Sequence, residues 1–174
     1  MSLSLHQVAV PTLLRGLRQL SHVLDVGAGH AAEHGIDPAT LIQARLAPDM
    51  LPLSAQIQRI SDTAKGTGER LSGVPSPKLA DTETTFDELQ ARITATVAYL
   101  ESLTPAQVDA GSTREIILKF GKLGARFDGV DYLLQFGLPN FHFHLVTAYD
   151  ILRNQGVPVG KLDYLGAIGT PVTE

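Results

Sequence analysis

Chemically able side chains crowd into one stretch, Asp128 to Gln155 (DGVDYLLQFGLPNFHFHLVTAYDILRNQ). Asn140 and His144 stand four apart and share a face if the stretch is helical. An amide and an imidazole one turn apart can hold a common ligand, or they can satisfy each other and nearby backbone inside a core. His142 and His144 form a His-x-His. On a strand the two rings would share a face and chelate; on a helix two residues turn through about 200° and the rings diverge. Asp150 and Arg153 follow Tyr149 at the spacing of an i,i+3 ion pair. Upstream, Gln56, Ser61 and Asp62 add amide, hydroxyl and acid groups. One arrangement is a polar pocket lined by Gln56, Asp62, His144 and Tyr149; the plainer one is capping and surface solvation. His30 and His34 also stand four apart, a feasible spacing for two metal ligands. Two ligands are too few for a site, however, and imidazoles near a helix end serve its exposed carbonyls and dipole. No Ser-His-Asp arrangement and no phosphate loop is readable.

The element that must carry the first group reads as a helix. Leu133, Phe136, Asn140, Phe143, Thr147 and Ile151 form one row at three-and-four spacing. Leu134, Leu138, Phe141, Leu145, Ala148 and Leu152 form another, so the helix is packed on several sides. Asp128 or Asp131 caps its start, and Gly156 with Pro158 ends it. Pro139 lies inside and predicts a kink or break near Phe136, because it lacks a backbone donor and crowds the preceding turn.

Ser4 to Glu33 reads as a first long helix on a stripe of Val8, Leu13, Leu17, Leu20 and Leu24, kinked at Pro11 and closed by His34-Gly35. Within it, His22 to Ala31 (HVLDVGAGHA) approaches the glycine-rich loop of S-adenosylmethionine-dependent methyltransferases. The preceding spacing is helical, Ala31 stands where a third glycine belongs, and no strand–helix alternation follows to build a parallel sheet. The alternative is that Gly27 and Gly29 are small residues admitting another helix. Asp37-Pro38 starts a short helix running to about Ala47. A second long helix spans Pro52 to Leu71, with Leu53, Ile57, Ile60, Ala64 and Leu71 inward, before a Gly-Pro loop. Thr85 and Glu88 fit a capping box for a third long helix carrying Phe86, Leu89, Ile93, Val97 and Leu100, which ends near Leu103 to Pro105. Arg114 to Phe127 reads as a β-hairpin around Gly121 to Gly124. The tail from Val157 to Glu174 reads as extended, with Tyr164 and Leu165 docking on the bundle or on a second copy.

The chain has 174 residues, 44% of them hydrophobic, which fits one globular domain over residues 1–174. A net charge of −4 with scattered Lys and Arg offers no basic stripe for nucleic acid. The absence of cysteine excludes disulfides, thiolate metal sites and a cysteine nucleophile. No leader pattern and no membrane-length apolar run is present, so a cytoplasmic setting is expected.

The segments RLAPDMLPL, SDTAKG, DTETTFDEL, DYLLQFGLPNFHFHLVTAYDILR and GVPVGKLDYLG together resemble a bacterial, domain-of-unknown-function branch of the DinB-like (YfiT-like) superfamily. The resemblance covers nearly the whole chain. It implies an all-α fold: a four-helix bundle with a short extra helix and a small hairpin before the last helix. Many members hold a divalent metal with three histidines, one on the second helix and two in a His-x-x-x-His on the last. Aligned by hand, those positions carry Ser61 or a near neighbour, Asn140 and His144, so the metal would rest on His144 alone. The resulting expectation is a homodimeric bundle binding a small ligand or divalent metal in a central pocket, through His144, Asn140, Ser61, Asp62, Gln56 and Tyr149. The alternatives are a non-enzymatic structural or interaction dimer and, last, the methyltransferase.

Overall fold

A computed structural model describes residues 3–121 and 123–169. Four long helices, α1 (Leu5–His34), α3 (Leu53–Ser72), α4 (Phe86–Glu101) and α7 (Leu138–Asn154), make the bundle. Short helices α2 (Pro38–Gln43), α5 (Pro105–Asp109), α6 (Gly129–Tyr132) and α8 (Lys161–Leu165) trim its ends. Strands β1 (Ile116–Phe120) and β2 (Leu123–Phe127) pair antiparallel, Ile116 opposite Phe127 and Phe120 opposite Leu123. No helix among the described residues is long and apolar enough to cross a membrane.

The long helices close a ring in the order α1, α4, α3, α7. Gly16 lies against Phe141 and Gly27 against Leu152, so α1 and α7 run parallel. Ser61 meets Thr96, and Gly68 meets Tyr99, Leu100 and Leu103, so α3 and α4 are parallel too. The other two neighbouring pairs are antiparallel. An up-down-down-up bundle needs one crossover, and residues 74–84 supply it.

That crossover is fastened by a buried cation. The Arg92 side chain is 1% exposed and reaches Glu83 at 2.8 Å, Asp62 at 2.8 Å and Asp81 at 3.0 Å. It also donates to the Ala80 carbonyl at 3.1 Å. Burial alone would raise the Glu83 carboxyl, but hydrogen bonds from Arg92, its own backbone and Gln58 outweigh that and hold it below the usual carboxylate range. At the far end of α3, Arg114 donates to the Arg70 and Leu71 carbonyls, both at 3.1 Å, satisfying groups the helix end leaves open.

The predicted break falls at Leu133–Gly137, which winds as a π-helix. Pro139 has no N–H for the carbonyl four residues back, and the Leu138 N–H bonds instead to Leu133, five back. The extra residue changes the helical phase. Phe141, Leu145, Ala148 and Leu152 are buried, as one apolar row requires, whereas Leu134 and Phe143 are 55% and 58% exposed. The other predictions divide. Ser4 and Thr85 both cap through capping boxes, Gly35 exits α1 left-handed at φ 64°, and the hairpin forms. The short second helix stops at Gln43 rather than Ala47. Thr104-Pro105 starts α5, which was not expected: its Gln107 completes a third capping box. The tail is not wholly extended, since Lys161–Leu165 is helical; residues 170–174 lie outside the described residues.

His22 to Ala31 lies wholly inside α1, so no glycine loop exists to receive a cofactor. A Cβ on Gly27 would stand 3.1 Å from Leu152, so this glycine does admit α7; Gly29 has nothing within 4 Å and does not.

Candidate functional site

Three rungs of polar side chains cross the antiparallel seam between α3 and the last helix. His144 Nδ1 lies 2.7 Å from Gln56 Oε1. One turn earlier, Asn140 Nδ2 donates to Thr63 Oγ1 at 2.8 Å. Beyond the π segment, Tyr132 and Thr67 join their hydroxyls at 3.2 Å.

The first rung has a defined orientation. Gln56 is 1% exposed, and its Nε2 donates to the Leu51 carbonyl at 3.1 Å, which turns Oε1 toward the imidazole. Oε1 can only accept, so His144 Nδ1 must carry a proton. Burial pushes the His144 pKa below its ordinary value, and the Arg59 guanidinium adds to that. The neutral ring therefore keeps its lone pair on Nε2, which has no protein partner among the described residues. The second rung is fixed likewise. Thr63 Oγ1 gives its proton to the Arg59 carbonyl at 2.7 Å and accepts from the amide of Asn140. Asn140 Oδ1 is left as a free acceptor one turn from His144.

The six residues expected at a central pocket do not converge. Gln56, Asn140 and His144 share the seam. Ser61 turns to α4, its hydroxyl 2.7 Å from Thr96, which in turn donates to the Arg92 carbonyl. Asp62 belongs to the Arg92 cluster, with Lys65 at 3.0 Å. Tyr149 faces the C-terminal segment, its hydroxyl reaching the Val159 carbonyl at 3.4 Å and its ring packing edge-on against Tyr164. The residue across from His144 is thus Gln56, and Ser61, five residues on, faces α4 instead. Asp150 and Arg153 form no ion pair. His30 and His34 stack at 4.2 Å, with His34 Nδ1 on the His30 carbonyl, 2.9 Å away, which makes them a helix-end pair.

A divalent metal does not fit this seam. One imidazole, two neutral amides and a threonine hydroxyl already used twice make a weak donor set, and the Nδ1 proton of His144 is committed. Among the described residues no group of three or more His, Asp or Glu side chains could hold a metal ion.

His142 diverges from His144, as the helical reading of the His-x-His requires. Two residues before His144, it points to the other flank of α7, into a cleft of about 230 Å³ beside α1 and α8. Its Nδ1 is buried with no partner, and burial lowers its pKa. Arg15, Gly16 and Tyr164 share the cleft. The missed signal was Gly160 followed by Asp163: the Gly160 N–H donates to the Asp163 carboxylate at 2.7 Å and starts α8, which forms the cleft's third wall.

Residues 5–165 match the family described as a domain of unknown function, DUF1993. The chain belongs to this DinB-like family. A crystal structure described as a DinB family member protein from Shewanella denitrificans is similar to it, with 35% sequence identity and a TM-score of 0.88. That alignment covers 97% of this chain and 96% of the other. No curated protein matches. In this DUF1993 member the seam between α3 and α7 holds Gln56, Asn140 and His144.

Proposed function

We propose that this DUF1993 protein is a metal-independent binding protein, which takes a small hydrogen-bond donor at the α3/α7 seam through His144 Nε2 and Asn140 Oδ1. One observation carries the reading. The Gln56 amide, pinned by the Leu51 carbonyl, accepts from His144 Nδ1 and so holds the imidazole as an oriented, neutral acceptor. Nε2 is not among the buried atoms that lack a partner, so a ligand donor would take the place of water there. Two mass measurements and a titration test it. Protein loaded with Zn²⁺ or Ni²⁺ and desalted is expected to retain no more metal than His144→Ala. One ion per chain that His144→Ala abolishes would overturn the metal-independent reading. Phenol is expected to shift the His144 imidazole resonances saturably and anisole, which lacks the donor, to leave them in place; equal shifts from both would remove the ligand half.

A second reading is association of two copies through the outer face of α7. Phe143 and Val146, 58% and 40% exposed, stand one turn apart there, an apolar pair that association would cover. Light scattering on the purified chain decides it: a monomer mass across a wide concentration range would exclude the dimer.

A further inference from the structure

We infer that the cleft between α1, α7 and α8 is a separate binding site for a small carboxylate bearing a compact apolar group, with Arg15 and Tyr164 on the carboxylate and His142 beside it. The inference shares no residue with the seam and stands or falls without it.

The size comes first. A cleft of about 230 Å³ exceeds the roughly 150 Å³ cavity that accepts benzene. Gly16 and Leu145 supply an apolar wall. The Phe141 ring fills the space where a Cβ on Gly16 would be, so the glycine keeps that wall flat and close. Arg15, Tyr164 and one ring nitrogen of His142 are potential donors, while Thr12 spends its hydroxyl proton on the Val8 carbonyl at 2.6 Å. Arg15 spends its Nε and Nη2 on the Leu165 carbonyl, which ties α1 to the end of α8 and leaves its Nη1 edge unbonded. The Tyr164 hydroxyl has no protein partner among the described residues. Burial raises its pKa and outweighs the nearby Arg15, so the phenol stays protonated. His142 Nδ1 is buried without a partner, whereas Nε2, which is not buried and has no protein partner among the described residues, is the ring nitrogen open to a ligand.

The charge of the lining sets the sign of the ligand. The lining carries a guanidinium and no carboxylate. The nearest acid on α8, Asp163, is occupied by His22 at 2.7 Å and by the Gly160 N–H, and does not line the cleft. A guanidinium edge beside a phenol matches a planar carboxylate, and the apolar wall matches what that carboxylate is attached to.

The test is an NMR titration of the whole chain, following the His142 imidazole and the Arg15 side chain. Sodium benzoate, benzyl alcohol and inorganic phosphate are the three probes. Benzoate is expected to saturate, with benzyl alcohol and phosphate at least about tenfold weaker. Arg15→Gln should weaken benzoate by about tenfold or more and Tyr164→Phe by a smaller factor. His22→Ala loosens α8 without altering the lining and should bind benzoate nearly as the parent does. Benzyl alcohol equal to benzoate, phosphate equal to benzoate, or no saturable shift at His142 would each overturn the proposal. So would equal losses in Arg15→Gln and His22→Ala, since Arg15 would then act only by holding α8.

Discussion

Replacing Gln56 by Met tests the central rung of the seam directly. Met keeps the length and apolar burial of the side chain at a position 1% exposed, so packing changes little. Two hydrogen bonds disappear: Nε2 to the Leu51 carbonyl at 3.1 Å and the contact with His144 Nδ1 at 2.7 Å. At about 1 kcal/mol net for each, the loss is about 2 kcal/mol. For a chain of this size that lowers Tm by about 4–8 °C. Thermal and urea unfolding followed by circular dichroism measure the loss. Nitrogen shifts of the imidazole report the tautomer, which is fixed as Nδ1–H in the parent and free to redistribute in the variant. A double-mutant cycle with His144→Leu isolates the pair and should show coupling of at least about 0.5 kcal/mol. A loss below about 0.5 kcal/mol, additive single variants, or an unchanged Nδ1–H tautomer in Gln56→Met would each refute the orientation argument and the proposed function with it.

Arg92→Met should cost about 3–5 kcal/mol, because it strands the Glu83 carboxylate inside the crossover. Adding Glu83→Gln should restore part of it, and urea midpoints read both; no recovery would mean that Glu83 is not the stranded charge. Gly16→Ala should cost about 1–3 kcal/mol, since the Phe141 ring has to give. Gly129→Ala should cost more, because its Cβ would collide with the Gly111 carbonyl, which is backbone; calorimetry showing the reverse order would contradict the packing described. Stability should depend on pH in two steps. His142 and His144 have folded pKa values held down by burial, so their contribution is full above the unfolded value of about 6.5 and is lost as pH falls through the folded values. Glu83, also lowered, contributes fully above about pH 4.3 and loses that below it. A Tm unchanged between about pH 7.5 and 5.5 would contradict the first step.

The bundle was legible because its signals are local. Thr85 with Glu88, and the stripe from Leu13 to Leu24, each specify their element within a few residues. Pro139 announced a break for the same reason. Partnership was not legible. Nothing near Gln56 in the chain says that it meets His144, 88 residues away, instead of Ser61 or Asp62 doing so. Five residues separate Gln56 from Ser61, so the two lie on different faces of α3, one toward α7 and the other toward α4. The cleft was hidden for a related reason: its third wall is a one-turn helix, too short for periodicity to reveal, started by a glycine and an aspartate three apart.

Ordinary helical rotation explains why α7 serves two flanks, since two residues turn through about 200°. Within α7, Phe141, Leu145, Ala148 and Leu152 face the core together with Thr147 and Ile151 of the neighbouring row, while Phe143 does not. The residues on either side of that row then fall at its edges. Asn140 and His144 meet α3 along one edge, and His142 lies along the other beside α1. Since α7 stands between α1 and α3 in the ring, two histidines separated by a single residue face different neighbours and are held neutral by burial on each side. The His-x-His is therefore not a chelating pair. It places one ring in the α3 seam, bonded through Nδ1 to Gln56, and the other in the cleft beside α1 and α8.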